Sequence, residues 1–259
     1  MAFVTIDNGK YFYRLSDKAG NKAKTAVFIH GSGGDGSVWE HQMAGLGRYF
    51  RLVVPDLPGH GRSEGNVLGS AREYAGWLDH FIEALKQSSF FLIGHSLGGA
   101  VAQEYVRAYP EKVSGLILTG TGNKFVVLKE YLQLLQDDFE AAVKTSCNNA
   151  YASSVSRELC QKGYEMLMRN GKEILSSDML ICEQFNSIPW ISSVSKPALV
   201  VCGNDDRILP RELSLELLRS FPESKLHIVS GSGHMVMAEA PDEFNDTVKR
   251  FIEEQETSV

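Results

Sequence analysis

The sequence has few cysteines, no surplus of positive charge, and no apolar stretch approaching the length of a membrane span. Its four cysteines, Cys147, Cys160, Cys182 and Cys202, lack both the close pairs of a zinc site and the density of a secreted disulfide framework. They are expected to be reduced and mostly buried, with Cys202 packing at the end of the apolar run from Ala198. Lysine and arginine total 26 against 32 acidic residues, a net charge of −6. With no cationic excess to neutralise phosphates, nucleic acid is excluded as the main partner and an anionic membrane surface is disfavoured. The N-terminal run meets Asp7, Asn8 and Lys10 before any apolar stretch long enough for a signal segment. The expectation is a soluble cytoplasmic protein, monomer or homodimer, that acts on a small molecule.

There is ample material for a core. Apolar residues make up 43% and charged residues 22% of the 259 positions, which suits one large domain. Short continuous apolar runs recur at 26–29, 52–54, 90–93, 113–118, 198–201 and 226–229. Continuous rather than alternating runs indicate strands buried on both faces, hence a mainly parallel sheet. Upstream, 3–6 and 11–15 flank Asn8-Gly9, which predicts a hairpin turn. Helical patterns lie between the strands. Ser70 and Glu73 have capping-box spacing before Tyr74, Leu78, Phe81, Ile82 and Leu85, and the last helix starts near Pro241. Strands alternating with helices predict a doubly wound α/β sheet.

The alternation stops between 125 and 195, where no strand pattern occurs and helical spacing returns several times. Residues 1–124 and 196–259 are therefore assigned to the core and 125–195 to a helical cap inserted in it. Trp190, Phe185, Met166 and Met179 in this region, and Trp39 outside it, are pocket-wall candidates that equally suit plain packing.

The sharpest chemical signal is Gly94-His95-Ser96-Leu97-Gly98-Gly99, between the strand at 90–93 and a helical run from Ala100. A serine flanked two residues away by glycines, at a turn from strand to helix, is held in a strained conformation with its hydroxyl exposed. Serine attacks poorly until a base takes its proton, and the base needs a third group to orient it. His234 follows the run at 226–229 in a glycine-rich loop, while Asp205 and Asp206 both follow the run at 198–201. His30 and His95 sit inside glycine turns, His60 in the turn after Asp56, His41 and His80 in helical patterns and His227 in a strand.

These motifs together resemble the α/β-hydrolase superfamily over essentially the whole chain. His30-Gly31-Ser32-Gly33 looks like its oxyanion loop, and Asp56, Gly59, Gly61 and Ser63 look like its D-x-x-G-x-G-x-S turn. Gly203 to Asp206 with Pro210, and Gly233-His234 with Glu239 and Pro241, look like its acid and histidine loops. The resemblance implies about eight strands with the cap after the sixth. It also implies a triad of Ser96, Asp206 and His234, with the backbone N–H groups of Ser32 and Leu97 as the oxyanion hole, and no metal or cofactor. The leading expectation is a carboxylesterase-like serine hydrolase of a small ester or related acyl compound. The alternatives are a same-fold lyase, a carbon–carbon bond hydrolase, or a hydrolase-like ligand-binding receptor. Serine rather than aspartate as nucleophile argues against the haloalkane dehalogenase and epoxide hydrolase branches.

Overall fold

All six continuous apolar runs become neighbouring strands of one eight-stranded sheet. The computed structural model describes residues 1–20 and 23–255. In chain order the strands are β1 (Ala2–Ile6), β2 (Gly9–Ser16), β3 (Thr25–Ile29), β4 (Arg51–Pro55), β5 (Phe90–His95), β6 (Val113–Thr119), β7 (Ala198–Gly203) and β8 (Ser224–Val229). Their order across the sheet is β1-β2-β4-β3-β5-β6-β7-β8. The first two neighbouring pairs, β1 with β2 and β2 with β4, are antiparallel and the rest parallel. The chain is thus an α/β fold with a mostly parallel sheet.

The hairpin turn sits one residue earlier than Asn8-Gly9. Ile6 pairs with Gly9, so Asp7 and Asn8 form the loop, with φ of 47° and 71°. A tight hairpin needs positive φ at both loop positions, and Asp and Asn tolerate it where most side chains do not. Gly9 is left to begin the second strand.

Helices cover both faces. One face carries α1 (Glu40–Leu46) and α10 (Pro241–Glu254), and the other α2 (Ala71–Ala84) and α3 (Leu97–Ala108). The capping box of α2 forms: Ser70 Oγ accepts the Glu73 N–H at 3.2 Å, while Glu73 Oε2 accepts from Gly69 N–H at 2.9 Å. Between β6 and β7 run α4 (Lys129–Asp137), α5 (Phe139–Ala150), α6 (Arg157–Asn170) and α7 (Lys172–Gln184). Leu135, Ala142, Val143 and Leu175 make a small core of their own there. After β7 come α8 (Arg211–Ser220) and, beyond β8, the short α9 (Val236–Glu239). No described helix is long and apolar enough to cross a membrane.

The parallel strands β3, β5, β7 and β8 end in the loops that carry Ser32, Ser96, Asp206 and His234. In an open α/β sheet these carboxyl ends are where ligands bind.

Candidate active site

Ser96 joins β5 to α3 with φ 53° and ψ −118°, a conformation that side chains rarely adopt. Its surroundings explain why glycines flank it. A Cβ on Gly94 would lie 2.2 Å from the Gly98 carbonyl oxygen, and one on Gly98 would lie 2.4 Å from that of Ile29. Both obstacles are backbone, so the strand, the turn and α3 approach this closely only without side chains. The Ser96 N–H donates to the Thr119 carbonyl at 3.0 Å, and Thr121 Oγ1 donates to the Ser96 carbonyl at 3.0 Å.

His234 is buried, and its Nδ1–H donates to Asp206 Oδ2 at 2.8 Å. The Asp206 carboxylate is fully shielded from solvent, and its other oxygen accepts the N–H groups of Ile208 at 2.9 Å and Leu209 at 2.8 Å. The carboxylate is therefore oriented from both sides. Asp205, one residue earlier, is exposed, with Asn204 Nδ2 3.3 Å away as its side-chain partner. Glu239 shapes the histidine loop by accepting from Gly233, Met235 and Ala152 backbone N–H groups at 2.9 to 3.0 Å.

Ser96 and His234 line one cavity with Gly31, Ser32, His95 and Met235. The structure brings Asp206 to His234, and His234 to the same cavity as Ser96. Among the described residues no hydrogen bond joins Ser96 Oγ to the imidazole; such contacts are often long until substrate binds. Ser32 shares the cavity with Ser96, and Leu97 follows Ser96 at the start of α3. Among the described residues neither of their amide N–H groups has an acceptor, so both remain free to stabilise negative charge. Gly31 permits this approach, since a Cβ there would sit 2.8 Å from His95 Nδ1 and 3.0 Å from Ser96 Cβ.

The remaining histidines have other partners. His95 Nε2 lies 3.1 Å from the His234 carbonyl, and burial, with His234 nearby, holds its pKa well below the usual value. His30 is pushed down to about 4 by burial and then by His60. Both rings are neutral and are tied to the framework by backbone contacts, His30 to the Gly31 carbonyl and the Leu57 N–H and His95 to the His234 carbonyl.

Helices α5, α6 and α7, with the segment joining α5 to α6, supply more of the cavity wall: Ser146, Cys147, Tyr151, Met166, Leu167, Leu175 and Met179. Burial pushes the Cys147 thiol up to about 11, which keeps it from acting as a second nucleophile. Met166 and Met179 thus face the site, whereas Phe185 packs against Phe125 with ring centroids 5.8 Å apart and Trp190 lies under Arg107. Trp39 is core, between Phe28 and Phe244. Among the described residues no Lys, Arg, Asp or Glu lines the cavity. Among the described residues no group of three His, Cys, Asp or Glu is placed to hold a metal ion.

Comparison with known proteins adds a family and relatives. The model of the Alpha/beta hydrolase family matches residues 26–247. The chain is 30% identical, over 96% of its length and 94% of the relative's, to a 2-hydroxy-6-oxononadienedioate/2-hydroxy-6-oxononatrienedioate hydrolase of Dechloromonas aromatica (strain RCB). It is 27% identical, over 96% of its length and 95% of the relative's, to a 2-hydroxy-6-oxo-6-phenylhexa-2,4-dienoate hydrolase of Burkholderia cepacia. A solved thermophilic esterase superposes with TM-score 0.86 at 30% identity, covering 98% of this chain and 97% of the other.

Proposed function

The chain belongs to the α/β hydrolase family, and from that premise we propose that it hydrolyses a carbonyl compound through an acyl-enzyme on Ser96. The observation that carries this is a strained, buried serine sharing a cavity with an imidazole that a fully shielded carboxylate holds by Nδ1. Asp206 keeps the proton on Nδ1, leaving His234 Nε2 to take the Ser96 proton as Oγ attacks the carbonyl carbon. The oxyanion that forms is received by the N–H groups of Ser32 and Leu97, the latter at the N-terminus of α3. His234 returns the proton to the leaving group, and water then releases the acid by the same steps in reverse order.

The bond attacked is the finer question. The names of the curated relatives support a carbon–carbon bond beside a ketone, the alternative, better than they support the carboxylesterase expectation. In that reaction the enol first tautomerises to the 2-ketone, so that the electron pair left on the carbon beside the attacked carbonyl is delocalised as a dienolate, and the proton from His234 goes to that fragment. A second reading, a neutral ester or lactone, is favoured by the cavity itself: among the described residues no lysine or arginine lines it to pair with the carboxylates of those relatives' substrates. The helices between β6 and β7 are the wall that selects the acyl group in either case.

One experiment separates these readings. Purified protein and Ser96→Ala are assayed on 2-hydroxy-6-oxo-6-phenylhexa-2,4-dienoate, followed by loss of its colour, and on p-nitrophenyl acetate and a neutral lactone. Turnover of the dienoate with kcat/KM above that for the neutral substrates supports carbon–carbon hydrolysis, and the reverse ranking supports the ester reading. Turnover that persists undiminished in Ser96→Ala removes this serine from the mechanism, as does a fluorophosphonate label found on any other residue.

A further inference from the structure

A fully buried ion pair lies beneath the oxyanion loop, and the triad chemistry does not use it. His60, in the turn after β4, has Nε2 2.9 Å from Oδ2 of Asp178 on α7, with both side chains wholly shielded from solvent. Its other ring nitrogen is 3.0 Å from the Pro58 carbonyl. A carbonyl and a carboxylate can only accept, so both ring nitrogens carry protons and His60 is an imidazolium. Burial opposes that charge, but Asp178 and the two hydrogen bonds outweigh it and raise the pKa above the usual histidine value.

The same Asp178 Oδ2 accepts the Gly33 N–H at 2.7 Å. Among the described residues its second oxygen, Oδ1, is buried without a partner. A buried carboxylate left half unsatisfied is a poor way to pack a helix, since apolar residues of similar volume do so at less cost. What Asp178 gains is a grip on the loop that carries Ser32. Two more side chains of α6 hold the same loop: Asn170 Nδ2 donates to the carbonyls of Gly33 at 2.8 Å and Gly34 at 2.9 Å, and Arg169 pairs with Asp35 at 2.8 Å. The Ser32–Gly33 peptide and the one after it are therefore pinned by helices outside the sheet. The amide of Ser32 itself is one residue upstream of that anchor.

We propose that Asp178, held by its buried pair with His60, is a positioning residue for the oxyanion hole, so that seating α6 and α7 aims the Ser32 N–H as well as walling the cavity. This rests on the assignment of Ser32 as an oxyanion donor made above. In Asp178→Asn the side chain keeps its shape but offers one acceptor oxygen and no charge. That oxygen can take the place of Oδ2, but without the carboxylate charge it holds neither His60 as an imidazolium nor the Gly33 N–H as firmly, and the grip on the loop is weakened.

The test uses the full chain and two probes: p-nitrophenyl acetate for kcat and KM, and a phenyl trifluoromethyl ketone, whose adduct with Ser96 carries the oxyanion. Removing one oxyanion donor outright costs about 10²- to 10³-fold in kcat. Misaiming one in Asp178→Asn should lower kcat and the affinity for the ketone together by about 10- to 100-fold, with KM changed less than threefold. Asn170→Ala, which removes a partly buried donor to the same loop, should lower both by about threefold to tenfold and serves if Asp178→Asn does not fold. A lower melting temperature with kcat and ketone affinity unchanged in the folded variants would overturn the proposal and leave Asp178 a stability residue. Loss of Ser96 dependence in the wild type would instead overturn the triad reading, so the two failures are distinguishable.

Discussion

Replacing Asp206 by asparagine separates orientation from packing, because the structure dictates which way the new amide must face. Oδ1 of Asp206 accepts two backbone N–H groups, from Ile208 at 2.9 Å and Leu209 at 2.8 Å, while Oδ2 accepts from His234 Nδ1. An amide nitrogen placed at the Oδ1 position would face two donors and forfeit both bonds, each costing about 1–3 kcal/mol when buried. The carbonyl oxygen of Asp206→Asn therefore stays there and its NH2 turns to His234. That NH2 donates to Nδ1, which moves the imidazole proton to Nε2 and leaves no lone pair to accept the Ser96 proton. In the protease template the same change costs on the order of 10⁴ in kcat, about 5 kcal/mol at 1.36 kcal/mol per tenfold. We expect that loss for Asp206→Asn on p-nitrophenyl acetate, with a melting temperature close to wild type because the loop bonds survive. Nitrogen-15 NMR of the histidine ring should show the proton moved to Nε2. Asp205→Asn, exposed and remote from the imidazole, should stay within threefold of wild type. Turnover by Asp206→Asn within tenfold of wild type would refute the reasoning, and a severe loss in Asp205→Asn alone would move the acid role there.

Two other predictions concern the framework. His30 donates from Nδ1 to the Gly31 carbonyl and accepts the Leu57 N–H at Nε2; with a folded-state pKa lowered from 6.5 to about 4, it lets the unfolded chain take up its proton first, so stability falls as pH drops from 6.5 to 4, by about 3 kcal/mol. Urea unfolding at pH 7 and pH 4 should show His30→Gln losing about that much less than wild type, and equal losses would assign the acid sensitivity to other groups. A Cβ in Gly98→Ala would meet the Ile29 and His30 carbonyl oxygens at 2.4 and 2.6 Å, so this variant should be insoluble or melt well below wild type, whereas a melting temperature within 2 °C, under about 1 kcal/mol for a chain this size, would contradict the packing argument.

Much of the core was legible because its signals are local. A continuous apolar run marks a doubly buried strand wherever it falls, and each of the six runs lies inside a parallel strand. Gly94 is equally local, since a Cβ there would meet Gly98 four residues on, whereas the obstacle at Gly98 is the backbone of Ile29 on the neighbouring strand β3. The hairpin shows the limit of that reasoning: Asn8-Gly9 is a strong turn pair, yet Asp7 and Asn8 occupy the loop. Pairing of Ile6 with Gly9 sets the register, and register depends on both strands and on the neighbouring β4 rather than on the dipeptide.

The polar part of the site that lies outside the sheet was not legible, for a physical reason. Asp178 sits in the apolar face of a helix, where a lone carboxylate normally signals a solvated position, and its partners His60 and Gly33 are 118 and 145 residues away. Nothing in a window of helical length reveals a contact of that separation. The same limit applied to Met166, Met179, Phe185 and Trp190, since helical period identifies an apolar face without saying which neighbour covers it. The structure turns the two methionines to the cavity and the two aromatic residues to the core. A histidine with both nitrogens facing acceptors must be charged, and a charge so deeply buried requires an anion from elsewhere in the chain. Neither contact of the His60 ring can be read from the sequence, and nothing there chooses among its 32 acidic residues, so the buried charge and the identity of Asp178 both came from the structure.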